Sequence, residues 1–278
     1  MRMGTLYLIA TPIGNLEDIT LRAVRLLGEV SLVAAEDTRH TRKLLAHYQI
    51  KTQLTSYFEH NKLQKVETIL SALEHGDVAL VSDAGTPALN DPGFELVRAA
   101  LAAGFPVSPV PGPSAPVAAL VASGLPTDAF LYLGYLPRKA AERRHWLEQV
   151  ADLPYTLVFL EAPHRLLASL KDLRAVLGNR PAAITRELTK RFEEIRRGTL
   201  EEVLDYFNRQ PPRGEFTLVI GGRRDEPEVW DETRMRQAVR QGLAASEAPA
   251  QLAARLTQLS GWPRRKIYEL VLELKNSG

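Results

Sequence analysis

The chain has 278 residues, with 35 Lys and Arg against 33 Asp and Glu, and no cysteine. A net charge of +2 and a hydrophobic share of 45% exclude a disordered or fibrous chain. The missing Cys excludes disulfides, thiolate metal sites and a cysteine nucleophile. The length points to about two domains, and neither a signal-peptide pattern nor an apolar run of about 18 residues occurs, so a soluble cytoplasmic protein is expected.

Short apolar runs alternate with helix-period segments. Strands are predicted at 6–10, 30–35, 78–81 and 107–110. Between them, Leu21, Val24 and Leu27 follow Thr20 as a helix with its cap, and Asn61 caps a helix carrying Val66, Ile69, Leu70 and Leu73. Asp91 and Pro92 read as the N-cap and first position of a further helix. The rhythm predicts an α/β domain with a mostly parallel sheet, ending near residue 112. It resumes with strands at 130–133, 156–160, 182–185 and 216–220 and helices at 114–123, 141–150, 164–177 and 200–207. Two α/β domains, 1–112 and 113–222, are therefore expected. A polar linker, 221–227, leads to three helices within 227–278 that read as helix-turn-helix-like, with Leu252, Leu256 and Leu259 as one apolar stripe.

Several chemistries are missing. No P-loop motif occurs, and the loop after the first strand has one glycine, Gly14, where a dinucleotide fingerprint needs three. Gly112-Pro113-Ser114-Ala115-Pro116 lacks the final glycine of a nucleophile elbow. The six His residues are scattered, and no metal site is expected.

What remains is a set of polar loops on one sheet edge, where open α/β sheets bind ligands. They are 10–18, 35–41, 82–87 and 109–115. Gly85, Gly112, Ser114 and Ala115 let main-chain groups approach a ligand closely, which suits a neutral or zwitterionic molecule better than a pyrophosphate. Glu36, Asp37, Arg39 and His40 crowd one strand-to-helix turn. They form either a polar wall for proton transfer or an Asp37 cap beside an Arg39 ion pair. In the second half, Arg186, Lys190 and Arg191 stand near Glu187, as phosphate-binding cations or as one face of a helical turn. Arg138, Lys139, Arg143 and Arg144 form one basic cluster, and Arg264, Arg265 and Lys266 form another at the start of the last helix. A cationic first turn opposes the helix dipole, so phosphate contact is one explanation and a solvated basic face the other.

Taken together, TPIGNLEDIT (11–20), AEDTRHT (35–41), SDAGTP (82–87), PGPSA (111–115), GYLPR (134–138), EAPHR (161–165) and GEFTLVI (214–220) resemble the tetrapyrrole-methylase superfamily. Within it the match is to the branch that methylates small-subunit ribosomal RNA. The resemblance spans essentially all of 5–222. It implies S-adenosylmethionine bound between two α/β domains, a homodimer, and 2′-O-ribose methylation of a cytidine in the decoding region. It carries cofactor contacts onto Pro12, Gly14, Gly85, Thr86, Pro87 and Leu89 in the first domain, and onto Ser114 and Ala115 in the loop that follows it. In the second domain they fall on Leu160, Glu161, Leu188, Glu215 and Phe216. Many members have Gly-Asp-Pro where this chain has Gly85-Thr86-Pro87, and the nearby acid is Asp83, counted with the cofactor contacts. Methyl transfer to a ribose hydroxyl calls for positioning and for a general base. The candidates are Asp37, His40, Glu187 and Lys190, with Asp37 or Glu187 favoured as the base, Arg39, Arg186 and Lys190 orienting phosphate, and the two basic clusters on the RNA path. Two other readings stand beside this one: a tetrapyrrole methyltransferase of the same fold, and a non-enzymatic RNA-binding assembly protein.

Overall fold

The computed structural model describes residues 3–60, 62–223 and 230–276. The expected Asn61 cap and most of the 221–227 linker lie outside the described residues. The described residues form two compact units, 1–222 and 223–278.

The larger unit holds two five-stranded sheets. In the first, β1 (Leu6–Ile9), β2 (Leu32–Ala35), β3 (Leu54–Ser56), β4 (Val78–Val81) and β5 (Val107–Val110) lie in the order β3-β2-β4-β1-β5, all parallel. Parallel strands need crossovers, and α1 (Leu21–Glu29), α2 (Thr38–His47), α3 (Lys62–His75) and α4 (Phe94–Ala102) occupy them. Each face of the sheet carries a core. Ile9, Val33 and Val81 meet Leu27 and Leu45 on one side, while Leu6, Ala34 and Leu80 meet Ile69, Leu73 and Leu96 on the other. Burial on both faces explains why β4 reads Val-Ala-Leu-Val without alternation. The helix expected to open at Asp91 opens instead at Phe94, with Gly93 as its N-cap. Asp91 is left free to face a cavity.

The second sheet departs from the expected mostly parallel arrangement. It contains β6 (Phe130–Tyr135), β7 (Thr156–Glu161), β8 (Pro181–Arg186), β9 (Glu194–Thr199) and β10 (Phe216–Ile220) in the order β6-β7-β10-β8-β9. Only the β6–β7 pairing is parallel. The short turn from β8 to β9 forces an antiparallel hairpin, since a parallel return needs a dozen or more residues. One face packs on α6 (Ala140–Glu148), α7 (Leu166–Leu177) and α8 (Leu200–Arg209), the last opened by a Thr199–Glu202 capping box. The other face is covered by Ala119 and Leu120 of α5 (Ala115–Ser123).

Arg143, expected on an RNA path, is buried instead. It sits one helical turn before the buried Leu147, so its stem faces the core. Its guanidinium meets Asp172 of α7 at 2.5 Å and donates to the carbonyls of Pro137 and Arg138 at 3.2 Å. Arg144 reaches the same carboxylate at 3.5 Å from a half-exposed position, and Lys139 pairs with Glu142. Arg138 is exposed.

The smaller unit consists of α9 (Glu232–Ala244), α10 (Pro249–Ser260) and α11 (Arg264–Asn276) around Met235, Val239, Leu252, Leu256, Ile267 and Val271. The stripe on α10 runs Leu252, Leu256 and Ser260, not through Leu259, which is 49% exposed. Gly261, at φ +66°, ends α10 in the left-handed conformation. Arg264, Arg265 and Lys266 are exposed, and Arg265 pairs with Glu269 at 2.9 Å.

Candidate active-site cleft

The loops leaving β1 and β4 are neighbours because their strands pair. They are also zipped together beyond the sheet. Thr11 and Gly85 exchange both backbone hydrogen bonds at 2.9 Å, and the buried Thr11 hydroxyl donates to the Ser82 carbonyl at 3.1 Å. Gly85 takes φ +80°, which a side chain would strain.

Above this zip lies a cleft of about 360 Å³ between the two sheets. Its lining includes Ile13, Glu36, Asp83, Ala84, Gly85, Thr86, Leu89, Asn90 and Asp91 from the first half, and Ser114, Ala115 and Pro116 from the start of α5. The second half contributes Tyr132, Tyr135, Leu160, Glu161, Ala162, Pro163, Thr185, Leu188, Glu215, Phe216 and Thr217. The charges are one-sided: Glu36, Asp83, Asp91, Glu161 and Glu215 face in, and among the described residues no Lys, Arg or His lines it. Glu161 is the most constrained. Its buried carboxylate accepts from the Ala162 amide at 2.9 Å and the Ser169 hydroxyl, with Arg165 at 3.3 Å. A bulge in β6 shifts the register between Tyr132 and Tyr135, and both rings reach the cleft. Burial pushes the Tyr132 hydroxyl up to about 12, so it stays a proton donor at neutral pH.

Burial, then the negative charges of Asp91, Asp83 and Asp37, raise the Glu36 carboxyl above its ordinary value. Burial and then Asp83 do the same to Asp91, against a hydrogen bond from Ser82. A carboxyl whose folded pKa is raised favours the fold below its unfolded value, and loses that contribution as pH rises through the folded value. Glu36→Gln is therefore expected to raise the unfolding temperature at pH 7 by about 2 °C, the gain fading towards pH 4. Calorimetry at both pH values checks this, and an equal gain at each would sink it.

A second cavity of about 550 Å³ adjoins the first. It is lined by Thr11, Pro12, Ile13, Gly14, Leu16, His40, Thr41, Lys43, Leu44, Ser82, Asp83, Ala84, Lys190 and Glu215. Ile13, Asp83, Ala84 and Glu215 belong to both cavities. Lys190 crosses from the second half to the first. Its stem lies so close over Gly14 that a β-carbon there would stand 2.4 Å from its Cγ. Its ammonium is held by Glu187 and Glu215, each at 3.0 Å. Partial burial opposes that charge, yet the two carboxylates win and raise the Lys190 pKa. Burial likewise opposes the Glu187 charge. The Glu215 amide, the Lys190 ammonium and the Arg186 guanidinium outweigh it and hold Glu187 below its ordinary value.

The residues expected to touch cofactor separate into groups. Asp83, Gly85, Thr86, Leu89, Ser114, Ala115, Leu160, Glu161, Leu188, Glu215 and Phe216 line the first cavity. Pro12 and Gly14 line only the second, and Pro87 lines neither. Of the candidate bases, His40 and Lys190 line the second cavity, while Asp37 and Glu187 line neither. Asp37 caps α2 by accepting from the Arg39 amide at 2.8 Å, and the Arg39 guanidinium grips it at 2.7 Å. That hydrogen bonding holds its carboxyl far below the carboxylate range, which makes it a poor base. Arg186 lies at the end of β8, not on a helical turn, and donates to the Arg213 carbonyl at 2.7 Å and to Glu194 at 3.4 Å. Asp91, Tyr132 and Tyr135 were not among the expected site residues, and Glu36 was read only as part of a polar wall, not as a cofactor contact or base. For Glu36 the signal was present, since it adjoins Asp37 at a strand end.

The profile of the Tetrapyrrole (Corrin/Porphyrin) Methylases matches residues 5–204. A protein of Halalkalibacterium halodurans named ribosomal RNA small subunit methyltransferase I is 48% identical, over 96% of this chain and 94% of its own length. One of the same name from Synechocystis sp. is 48% identical over 99% of this chain and all of its own. Among solved structures, uroporphyrin-III C-methyl transferase from Thermus thermophilus, complexed with S-adenyl homocysteine, superposes with a TM-score of 0.54 at 26% identity. That alignment covers 78% of this chain and 97% of the other. With a family profile matched over most of its length and relatives of nearly half-identical sequence, this chain belongs to the tetrapyrrole methylase family.

Proposed function

We propose that the chain transfers a methyl group from S-adenosylmethionine to small-subunit ribosomal RNA, at the 2′-hydroxyl of a cytidine in the decoding region. The observation that carries this reading is the division of charge between two joined cavities. The first presents carboxylates and aromatic rings and no cationic side chain. It suits a sulfonium and ammonium beside a planar heterocycle, and it repels phosphate. The second adds His40, Lys43 and Lys190 to the Asp83 and Glu215 that it shares with the first, and Glu215 is paired with Lys190. The near-full-length relatives named for small-subunit ribosomal RNA support the same acceptor.

S-adenosylmethionine supplies the electrophilic methyl carbon and its leaving group. The chain supplies placement and proton handling. The first cavity, between two rigid sheets, holds the donor side. Ile13 and Ala84 border both cavities, so an acceptor in the second lies beside a donor in the first. Asp37, Glu187 and Lys190 are committed to ion pairs. The His40 ring makes no hydrogen bond or ion pair among the described residues and lines the acceptor side. It is the group that takes the hydroxyl proton. His40→Ala is expected to lower kcat by about a hundredfold, the scale of general base catalysis, and to leave cofactor affinity unchanged. Stopped methylation assays beside calorimetry read the two quantities separately. A variant with wild-type kcat would remove His40 from this role.

RNA phosphates beyond the cleft meet Arg39, Arg138, Lys139 and Arg144 on the larger unit, and Arg264, Arg265 and Lys266 on the smaller. Arg186, tied to Arg213 and Glu194, acts mainly on its own loop. The tail's cationic first turn has no use for a macrocycle, which favours RNA over a tetrapyrrole acceptor. No described helix is long and apolar enough to cross a membrane, in keeping with work in the cytoplasm. Exposed apolar residues one or two turns apart, Phe94 with Leu101 on α4 and Val117 with Val121 on α5, support a homodimer. Light scattering that returned one chain's 30.9 kDa would overturn that assembly.

The deciding experiment incubates the pure protein with labelled S-adenosylmethionine and unmodified small subunits, then digests the RNA for mass spectrometry. The expected product is 2′-O-methylcytidine. RNA that gains no label would overturn the assignment.

A further inference from the structure

The second cavity has a composition that the donor side does not explain. Its floor is apolar, from Pro12, Ile13, Leu16 and Leu44. Its cations differ in availability. Lys190 is neutralised by Glu187 and Glu215. Lys43 is exposed on α2, one turn beyond His40, and has no ion pair among the described residues. Leu16 is 40% exposed, unusual for a leucine in a loop that is otherwise fastened down. Its backbone is fixed all the same. It opens a single helical turn capped by Asn15, and its carbonyl accepts from the Tyr48 hydroxyl at 2.6 Å. A rigid backbone presenting an apolar side chain into a cavity is a platform for a flat ring.

We infer that this cavity holds one nucleotide of the RNA, extruded from its strand, with the base against Leu16 and the adjoining phosphate at Lys43. The inference rests on the reading above that RNA is the acceptor. Sequence-specific RNA sites are mostly single-stranded segments whose bases can be splayed out, and a pocket that receives such a nucleotide combines an apolar face for the base with a cation for the backbone. The carboxylates of the first cavity exclude the phosphate from that side, so the strand is admitted on one side only. The ribose then lies at the shared wall, beside His40 on one side and open to the first cavity on the other.

The test uses cytidine 5′-monophosphate as probe, read by ligand-observed NMR with S-adenosylhomocysteine present. Leu16→Trp fills the cavity from a half-exposed position. It is expected to abolish the probe signal and to raise the KM for small-subunit RNA at least tenfold, with S-adenosylhomocysteine affinity within twofold of wild type. Lys43→Ala, a surface change, is expected to reduce the slope of log affinity against log salt for a single-stranded oligonucleotide by about 0.7, the release of one counterion. If Leu16→Trp still bound the probe, or lost S-adenosylhomocysteine instead, the nucleotide would not occupy this cavity. Wild-type protein that methylated the RNA yet failed to bind the probe would overturn the pocket alone. Wild-type protein that methylated no RNA would overturn both readings.

Discussion

Replacing Arg143 with alanine lowers the stability of the larger unit by about 3–5 kcal/mol, the cost of leaving a buried charge without its partner. The side chains of Arg143 and Asp172 are 5% and 11% exposed, so water cannot replace the lost contacts. The carbonyls of Pro137 and Arg138 lose a donor as well. For a unit of this size the loss corresponds to about 6–20 °C in unfolding temperature. The double variant Arg143→Met with Asp172→Leu should recover most of it, because an apolar pair of similar volume avoids the desolvation penalty. Affinity of the folded protein for RNA should not change. A denaturation midpoint within error of wild type would show that the pair is solvated, and a specific loss of RNA affinity would return Arg143 to the surface role expected from the sequence.

Gly14→Ala is expected to reduce methylation by more than a hundredfold with a far smaller loss of stability. The new β-carbon would meet Lys190 Cγ at 2.4 Å, Thr189 Oγ1 at 3.0 Å and the Leu188 carbonyl at 3.1 Å. Lys190 Cγ is not a free chain end, since its ammonium is anchored to two carboxylates. The loop from 187 to 190 therefore has to retreat, carrying Leu188 out of the first cavity and Lys190 out of the second. Overpacking of this kind costs about 1–3 kcal/mol in stability, whereas a misplacement of about 1 Å at a reacting centre costs about a hundredfold in rate. Parallel assays of unfolding temperature, cofactor affinity and turnover separate the two effects. Activity within tenfold of wild type would mean that the loop yields without disturbing either cavity.

Much of this architecture was legible because periodicity reports burial. The strands buried on both faces, such as β4 and β10, announce themselves as unbroken apolar runs. What escaped was built at the edges. β9, Glu-Ile-Arg-Arg-Gly-Thr, pairs on one side only and is half exposed, so no apolar pattern marks it. β3 has three residues and sits at the far edge of its sheet. The site was legible as a set of strand-end loops, and the expected cofactor contacts named about half of the first cavity's lining. They did not show that Pro12 and Gly14 face a separate space. That depends on how the Leu188–Lys190 loop of one half settles on Gly14 of the other, a contact between residues far apart in sequence. Asp91 was misread as a cap because Asp-Pro is an ordinary helix opening, and only the packing of Gly93 moved the start to Phe94. Tyr135 was invisible for a different reason: a bulge reverses which side of a strand a residue faces, and nothing local in β6 announces one.

The zip between Thr11 and Gly85 makes Ile13 and Asp83 parts of one body that borders both cavities. Occupants of two cavities that share the carboxylates of Asp83 and Glu215 lie in one electrostatic field, so their affinities are coupled. Whatever factor the first contributes to the affinity of the second, the second returns to the first, because linkage is reciprocal. A cation on the carboxylate side and an anion beyond the wall attract one another, so the cooperativity is positive. It is also screened by salt, which makes the ionic strength of an assay a determinant of how strongly donor and acceptor recruit each other.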